Sequence, residues 1–224
     1  MLALAGAGCH VCIHYCRSAD AARQTKEDAE ALGVKAAIYS ADLAQAEAVR
    51  GVIETAVATF AHIDILINSA AIFPEEDSFS HTDPALWDSL MHVNLRAPFL
   101  LSQAFAAQRQ PDRPGKIINI LDARVRQPAS DHFVYRFSKG GLWQMTEMLA
   151  LELAPHVTVN GVALGAILPP PGQDASYLDK IAQARVPLQR AGSTAIVAEN
   201  VLHLLHQDFL TGVIIPIDGG EFLL

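Results

Sequence analysis

Short runs rich in Val, Ile and Leu alternate with longer segments of helical period from one end of this chain to the other. Nothing else in the sequence narrows the possible folds as much, because strands that run parallel must be joined by long crossovers, and helices fill them. The strands are expected at residues 10–15, 34–40, 63–68, 116–121, 157–162 and 212–217, and the helices at 19–32, 44–61, 84–108, 132–154 and 194–207. Gly33 closes the first of these helices as a C-terminal cap, and Asp83-Pro84 opens the third. There a capping carboxylate precedes a proline at the first helical position, where its missing N–H costs nothing. No linker, repeat or low-complexity segment interrupts residues 1–224, so the reading is one α/β domain around a doubly wound parallel sheet.

The formal net charge is −8 with the basic residues scattered, which argues against a nucleic-acid partner. Residues 1–8 are apolar but carry no basic flank and are too short for a secretion signal, and no later apolar run could cross a bilayer. A cytoplasmic protein with no membrane partner is expected. Cys9, Cys12 and Cys16 interleave with His10 and His14 in a way that imitates a metal site. On a strand, however, alternate residues recur every ~6.6 Å, so His10 and Cys16 lie roughly 20 Å apart and cannot share one ion. The cysteines are therefore read as small hydrophobes and no metal is expected.

Tyr135 and Lys139 stand four residues apart on an expected helix, so both project from one face. A phenol is a poor acid–base group at neutral pH, and an adjacent ammonium would stabilise the phenolate and lower its pKa. The residues around this pair make the chain resemble the short-chain dehydrogenase/reductase family over essentially its whole length. Tyr135-Arg136-Phe137-Ser138-Lys139 matches the family's catalytic Y-x-x-x-K, and Asp218-Gly219-Gly220 matches its closing D-G-G. Asn68-Ser69-Ala70-Ala71 sits where the family has N-N-A-G, with Ser and Ala in place of the second Asn and the Gly. Asn94 matches the helix asparagine that helps hold a proton-relay water beside the lysine. Pro98, having no N–H, leaves the Asn94 carbonyl free for that water.

Most of the family has a serine thirteen residues before the tyrosine, and this chain has Asp122 there. Together with Arg17-Ser18 after the first strand and Phe73 in the loop after the third, Asp122 is similar to the pteridine-reductase and dihydropterin-reductase branch. The resemblance implies a Rossmann-like fold and an NADPH-dependent reductase of a pterin-like substrate. Catalytic roles fall to Asp122, Tyr135, Lys139 and Asn94, with the substrate held by Phe73, Asp122 and Tyr135. It also implies a cofactor site made by Arg17, Ser18, Asp42, Leu43, Asn68, Ser69, Ala70, Tyr135, Lys139, Gly165 and Ile167, and a homo-oligomer, tetrameric or dimeric. Arg17 has a physical argument of its own: an acidic residue there would hold the ribose hydroxyls of NAD, whereas a guanidinium suits the 2′-phosphate of NADPH. Pro169 to Pro171 leads into an expected substrate-covering loop.

A dinucleotide-binding domain opens with a strand, a glycine-rich turn and a helix whose N-terminus holds the pyrophosphate. Residues 1–8 read instead as the last turns of a helix running into a strand, and Gly6 and Gly8, though spaced G-x-G, precede that strand. The expectation is a sheet lacking its first strand and its phosphate turn. Two other readings stand beside the pterin reductase: an NADP-dependent ketone or oxoacyl reductase of the same family, and a catalytically impaired remnant or truncated gene model with an incomplete cofactor site.

Overall fold

The structure is a computed structural model that describes every residue except Pro111 and Pro171. Its elements follow the order α1 (Leu2–Gly6), β1 (Val11–Tyr15), α2 (Ala19–Ala31), β2 (Ala36–Ser40), α3 (Ala46–Phe60) and β3 (Ile65–Asn68). The second half continues with α4 (Pro84–Met91), α5 (Ala97–Gln108), β4 (Gly115–Asp122), α6 (Phe133–Glu152), β5 (Val157–Leu164), α7 (Ala175–Arg185), α8 (Thr194–His206) and β6 (Ile214–Ile217). All strand pairs are parallel, and the helical crossovers bury their apolar faces against them. The caps behave as their chemistry requires: Asp83 accepts the Leu86 N–H at 2.7 Å, and Gly33 takes φ +86° just past α2. Gly8, at φ +86°, follows the end of α1 in the same way, so Gly6 and Gly8 close a helix.

Three expectations need correction. The helix foreseen over 84–108 is broken at His92–Arg96, where the backbone widens into a π-turn and the Ala97 N–H bonds the His92 carbonyl five residues back. Pro98, at the start of α5, supplies no donor to the previous turn, which favours that widening. Helix α7 was not foreseen, because its sequence ASYLDKIAQAR has only a weak apolar stripe and its start is set by Asp174, whose carboxylate accepts the Ser176 and Tyr177 N–H groups. Finally, the strands do not make one sheet. They form a pair, β1-β2, and a separate four-stranded sheet ordered β3-β4-β5-β6.

Between the two sheets lies a cavity of about 700 Å³, lined by Val11, Cys12, Ile13 and His14 of β1 and by Ile65, Leu66, Ile67 and Asn68 of β3. The Val11 N–H bonds Lys35, and Tyr15 accepts from Ala41, so the alternation of a parallel ladder turns the backbone groups of Val11, Ile13 and Tyr15 toward β2 and those of Cys12 and His14 toward the cavity. By the same rule the Lys116 N–H on the Asp64 carbonyl leaves Ile65 and Ile67 facing the cavity from the other side. Hydrogen exchange should therefore alternate along both strands, with the Cys12, His14, Ile65 and Ile67 amides exchanging at least about tenfold faster than those of Val11, Ile13 and Leu66. Uniform protection in residue-resolved NMR exchange would rule out the split sheet.

Candidate active site

The carboxyl ends of β3, β4 and β5 and the first turns of α6 bring the chemistry-bearing residues together. Asp122 is the last residue of β4, and Tyr135 and Lys139 lie on one face of α6, all three buried. The Tyr135 hydroxyl donates to Asp122 Oδ2 at 3.3 Å. Arg124 forks onto the same carboxylate, Nη2 to Oδ2 at 3.1 Å and Nε to Oδ1 at 3.3 Å, while its backbone N–H reaches Oδ1 at 2.8 Å. Lys139 Nζ donates to the Ile120 carbonyl at 2.8 Å.

This geometry corrects the expected electrostatics. Burial, reinforced by the Asp122 charge, pushes the Tyr135 phenol well above its usual range, and the cations that oppose that rise are those of Arg124 and Arg136. Burial also lowers the Lys139 ammonium to about 8, with Asp122 pulling the other way. The Y-x-x-x-K spacing puts the two groups on one face, but desolvation outweighs the ammonium's pull on the phenol. A protonated phenol is what results, suited to donate a proton. The Arg124 guanidinium completes the surroundings of Asp122.

Phe73 stands where the sequence put an aromatic platform, its ring 4.9 Å from Tyr135 edge-on and 4.5 Å from His132. Asn94, fully buried in the π-turn, holds that loop: Oδ1 accepts the Ile72 N–H at 2.7 Å and Nδ2 donates to the Ile72 carbonyl at 3.0 Å and to Ser138 Oγ at 3.2 Å. Its side chain thus ties the Phe73 loop to α6. Asn68 belongs to a buried amide chain, donating to Asn119 Oδ1 at 2.8 Å, and Asn119 donates to Thr146 Oγ1 at 2.9 Å. Among the described residues Asn68 Oδ1 has no partner, which makes it a buried acceptor open to a further donor.

The remaining cofactor candidates divide. Arg17 and Ser18 are exposed beyond β1, Ser69 and Ala70 are exposed beyond β3, and Asp42 follows β2, its Oδ1 accepting the Ala44 N–H. Gly165 packs so closely on Asp218 that a Cβ would lie 2.6 Å from the aspartate's own. Leu43 and Ile167, in contrast, have buried core side chains, so a role for them in cofactor binding passes through the backbone. As a test of fit, Arg17 and Ser18 suit a phosphate-bearing ribose, and Tyr135 and Lys139 suit the nicotinamide ribose. The turns after β1, β2 and β3 contain no glycine, so none of them is a glycine-rich pyrophosphate cradle. Of the loop expected from Pro169 to Pro171, Pro171 lies outside the described residues.

Sequence reasoning missed Arg124, His132 and Asp77. Arg124 left a faint signal in its place two residues after Asp122. Asp77 left none. Its buried Oδ2 accepts the Tyr135 N–H at 2.7 Å, its Oδ1 accepts from Thr82 Oγ1 at 2.7 Å, and its carbonyl accepts the Phe133 N–H at 3.1 Å. It therefore caps α6 from fifty-eight residues away, in place of His132, which sits at φ 47° and offers no side-chain cap. Asp77→Ala should cost about 1–2 kcal/mol, the value of a helix cap, and Asp77→Asn much less; thermal unfolding of the three proteins tests this.

A fold of parallel strands with a tyrosine, a lysine and a polar strand-end residue at their carboxyl ends defines a class, and the comparisons with known proteins agree with it. The family model for enoyl-(acyl carrier protein) reductase matches residues 2–221. The chain belongs to the short-chain dehydrogenase/reductase family of oxidoreductases. It is 33% identical over 214 residues, 88% of this chain and 80% of the relative, to 2-dehydro-3-deoxy-D-gluconate 5-dehydrogenase of Escherichia coli. It is 29% identical to the 3-oxoacyl-[acyl-carrier-protein] reductase FabG of Staphylococcus epidermidis, covering 99% of this chain and 92% of that one. Among solved structures it is similar to FolM alternative dihydrofolate reductase 1 of Brucella canis complexed with NADP, at 33% identity, with a TM-score of 0.92 over 99% of this chain and 87% of that one.

Proposed function

We propose that the protein is an NADPH-dependent reductase of a dihydropterin-like ring. The observation that carries this reading is Asp122: a carboxylate stands within hydrogen-bond reach of Tyr135 where a ketone reductase needs a neutral donor. The similarity to an alternative dihydrofolate reductase complexed with NADP points the same way. A bound NADPH would supply a hydride to the carbon of a ring C=N bond. Tyr135, held protonated, gives the proton to the ring nitrogen. Asp122 accepts an N–H of the ring, Phe73 offers a flat apolar edge, and Lys139 holds the nicotinamide ribose. Asn94 fixes the loop that carries Phe73 against α6.

The test is a direct comparison of dihydrobiopterin and dihydrofolate with a β-keto ester, each with NADPH, followed by absorbance at 340 nm. Turnover of the keto ester alone would replace the pterin reading with the second one, a ketone or oxoacyl reductase, which the FabG relative favours. For the cofactor, Arg17 and Ser18 hold the 2′-phosphate, so NADPH binds more tightly than NADH by a margin that shrinks as salt is added. Arg17→Asp should reverse the preference, and equal affinities in the parent protein at every salt concentration would dismiss the assignment. Trp87, Phe99, Phe137, Met148 and Leu151 leave apolar surface exposed on α4, α5 and α6, which suits association with a second copy of the chain. Light scattering after size exclusion measures it.

A further inference from the structure

Asp122 is held by more donors than a proton-delivering carboxyl can accommodate. Both its oxygens accept from the Arg124 guanidinium, Oδ1 also from the Arg124 backbone N–H and Oδ2 from the Tyr135 hydroxyl. The fork sets a guanidinium N–H on each oxygen, the arrangement that suits a carboxylate. Arg124 is itself fixed in place. Arg136 Nη1 donates to its carbonyl at 2.7 Å, and the Arg136 guanidinium is clamped on Asp131 by Nη2 at 2.8 Å and Nε at 3.1 Å. The other charged or titratable groups acting on Asp122 are Tyr135 and Lys139 from α6 and Glu221 from the C-terminal turn Glu221–Leu223. Of the two acidic groups beside Arg124, Asp122 receives the fork.

We propose that Arg124 is a specificity-determining positioning residue, whose fork fixes Asp122 as a charged hydrogen-bond acceptor and so selects substrates that present a ring or amino N–H over those that present only a carbonyl. This rests on the reading that Asp122 faces the substrate. A heterocyclic N–H gains a charge-assisted bond from such a carboxylate. A carbonyl oxygen brings lone pairs toward a negative charge and is turned away.

The experiment compares the full chain with Arg124→Gln and Arg124→Lys, each checked for cooperative melting. One readout is the ¹³C resonance of the Asp122 carboxyl in aspartate-labelled protein, assigned through its loss in Asp122→Asn. The second is the kcat/KM ratio for dihydrobiopterin over ethyl acetoacetate across pH, with NADPH. In Arg124→Gln the carboxyl resonance at pH 7 should be displaced from its position in the parent, because both guanidinium hydrogen bonds to it are gone. The ratio should fall at least tenfold. Arg124→Lys, which keeps the charge without the fork, should recover part of each effect. An unmoved resonance, or a ratio unchanged while both rates fall together, overturns the proposal and leaves Arg124 a structural residue. A parent that reduces only the keto ester overturns the pterin reading and the selection with it. The carboxyl resonance then decides separately whether Arg124 positions the carboxylate.

Discussion

Asp122→Ser is expected to lower kcat/KM for dihydrobiopterin more than tenfold and to leave NADPH binding within about twofold of the parent. Tenfold is about 1.4 kcal/mol, which is below the ordinary worth of one hydrogen bond to a charged group, roughly 1.5–3 kcal/mol. The loss is thus a conservative expectation for removing the carboxylate that meets the Tyr135 hydroxyl. Reduction of a β-keto ester should move the other way. Without the Asp122 charge the Tyr135 phenol is relieved of the largest electrostatic contribution to its raised pKa, and the serine hydroxyl can donate to a developing alkoxide. Steady-state kinetics on both substrates check the pair of results. Equal losses on the two would make Asp122 a general structural support of the tyrosine, and a serine variant as fast on dihydrobiopterin as the parent would end the pterin assignment.

Lys139→Met should abolish most activity while making the protein more stable. Lys139 is 3% exposed and, among the described residues, its ammonium has one hydrogen bond, to the Ile120 carbonyl. Burial lowers it from 10.5 to about 8, which corresponds to a folding penalty on the order of 3 kcal/mol at neutral pH. Because the folded value lies below the unfolded one, the penalty is fully present below about pH 8 and fades as pH rises toward 10.5. Methionine fills a similar volume without the charge. The lost hydrogen bond offsets part of the gain, leaving roughly 2 kcal/mol, or about 4–8 °C in Tm for a chain of this size. The difference in Tm between variant and parent should be widest at and below pH 8 and close near pH 10.5. A variant less stable than the parent at pH 7 would show that the ammonium is better solvated than its burial implies. Activity should fall by about 10²–10⁴, the range for removing a group that supports proton transfer.

Most of the architecture could be read from the chain because its causes are local. Period, caps and turn residues act within a few positions, and every strand foreseen is present to within two residues at each end. The exceptions have tertiary causes. No sequence pattern shows that β1 and β3 share no ladder, because pairing depends on what else reaches the space between them. The Tyr135 and Lys139 positions, the aspartate in place of serine and the asparagine at the helix break were likewise visible, since spacing along a helix or strand fixes which side chains share a face.

What those residues do to one another was settled only in three dimensions. Sequence spacing suggested that Lys139 would lower the Tyr135 phenol, and the structure shows the phenol raised, because burial and Asp122 outweigh the ammonium. The sequence put Asp122 at the strand end without showing its partner, and the fold turned Arg124 onto it through the short helical turn Ala123–Arg126. Asp77 reaches the first turn of α6 from a loop fifty-eight residues earlier, and the Asn68–Asn119–Thr146 chain joins two strands and a helix. The sequence by itself determined which elements form, in what order, and which reactive residues stand at their ends. The tertiary structure decided their charge states and partners, because desolvation and Coulomb attraction depend on what surrounds a group in space, and spacing along the chain carries no record of that.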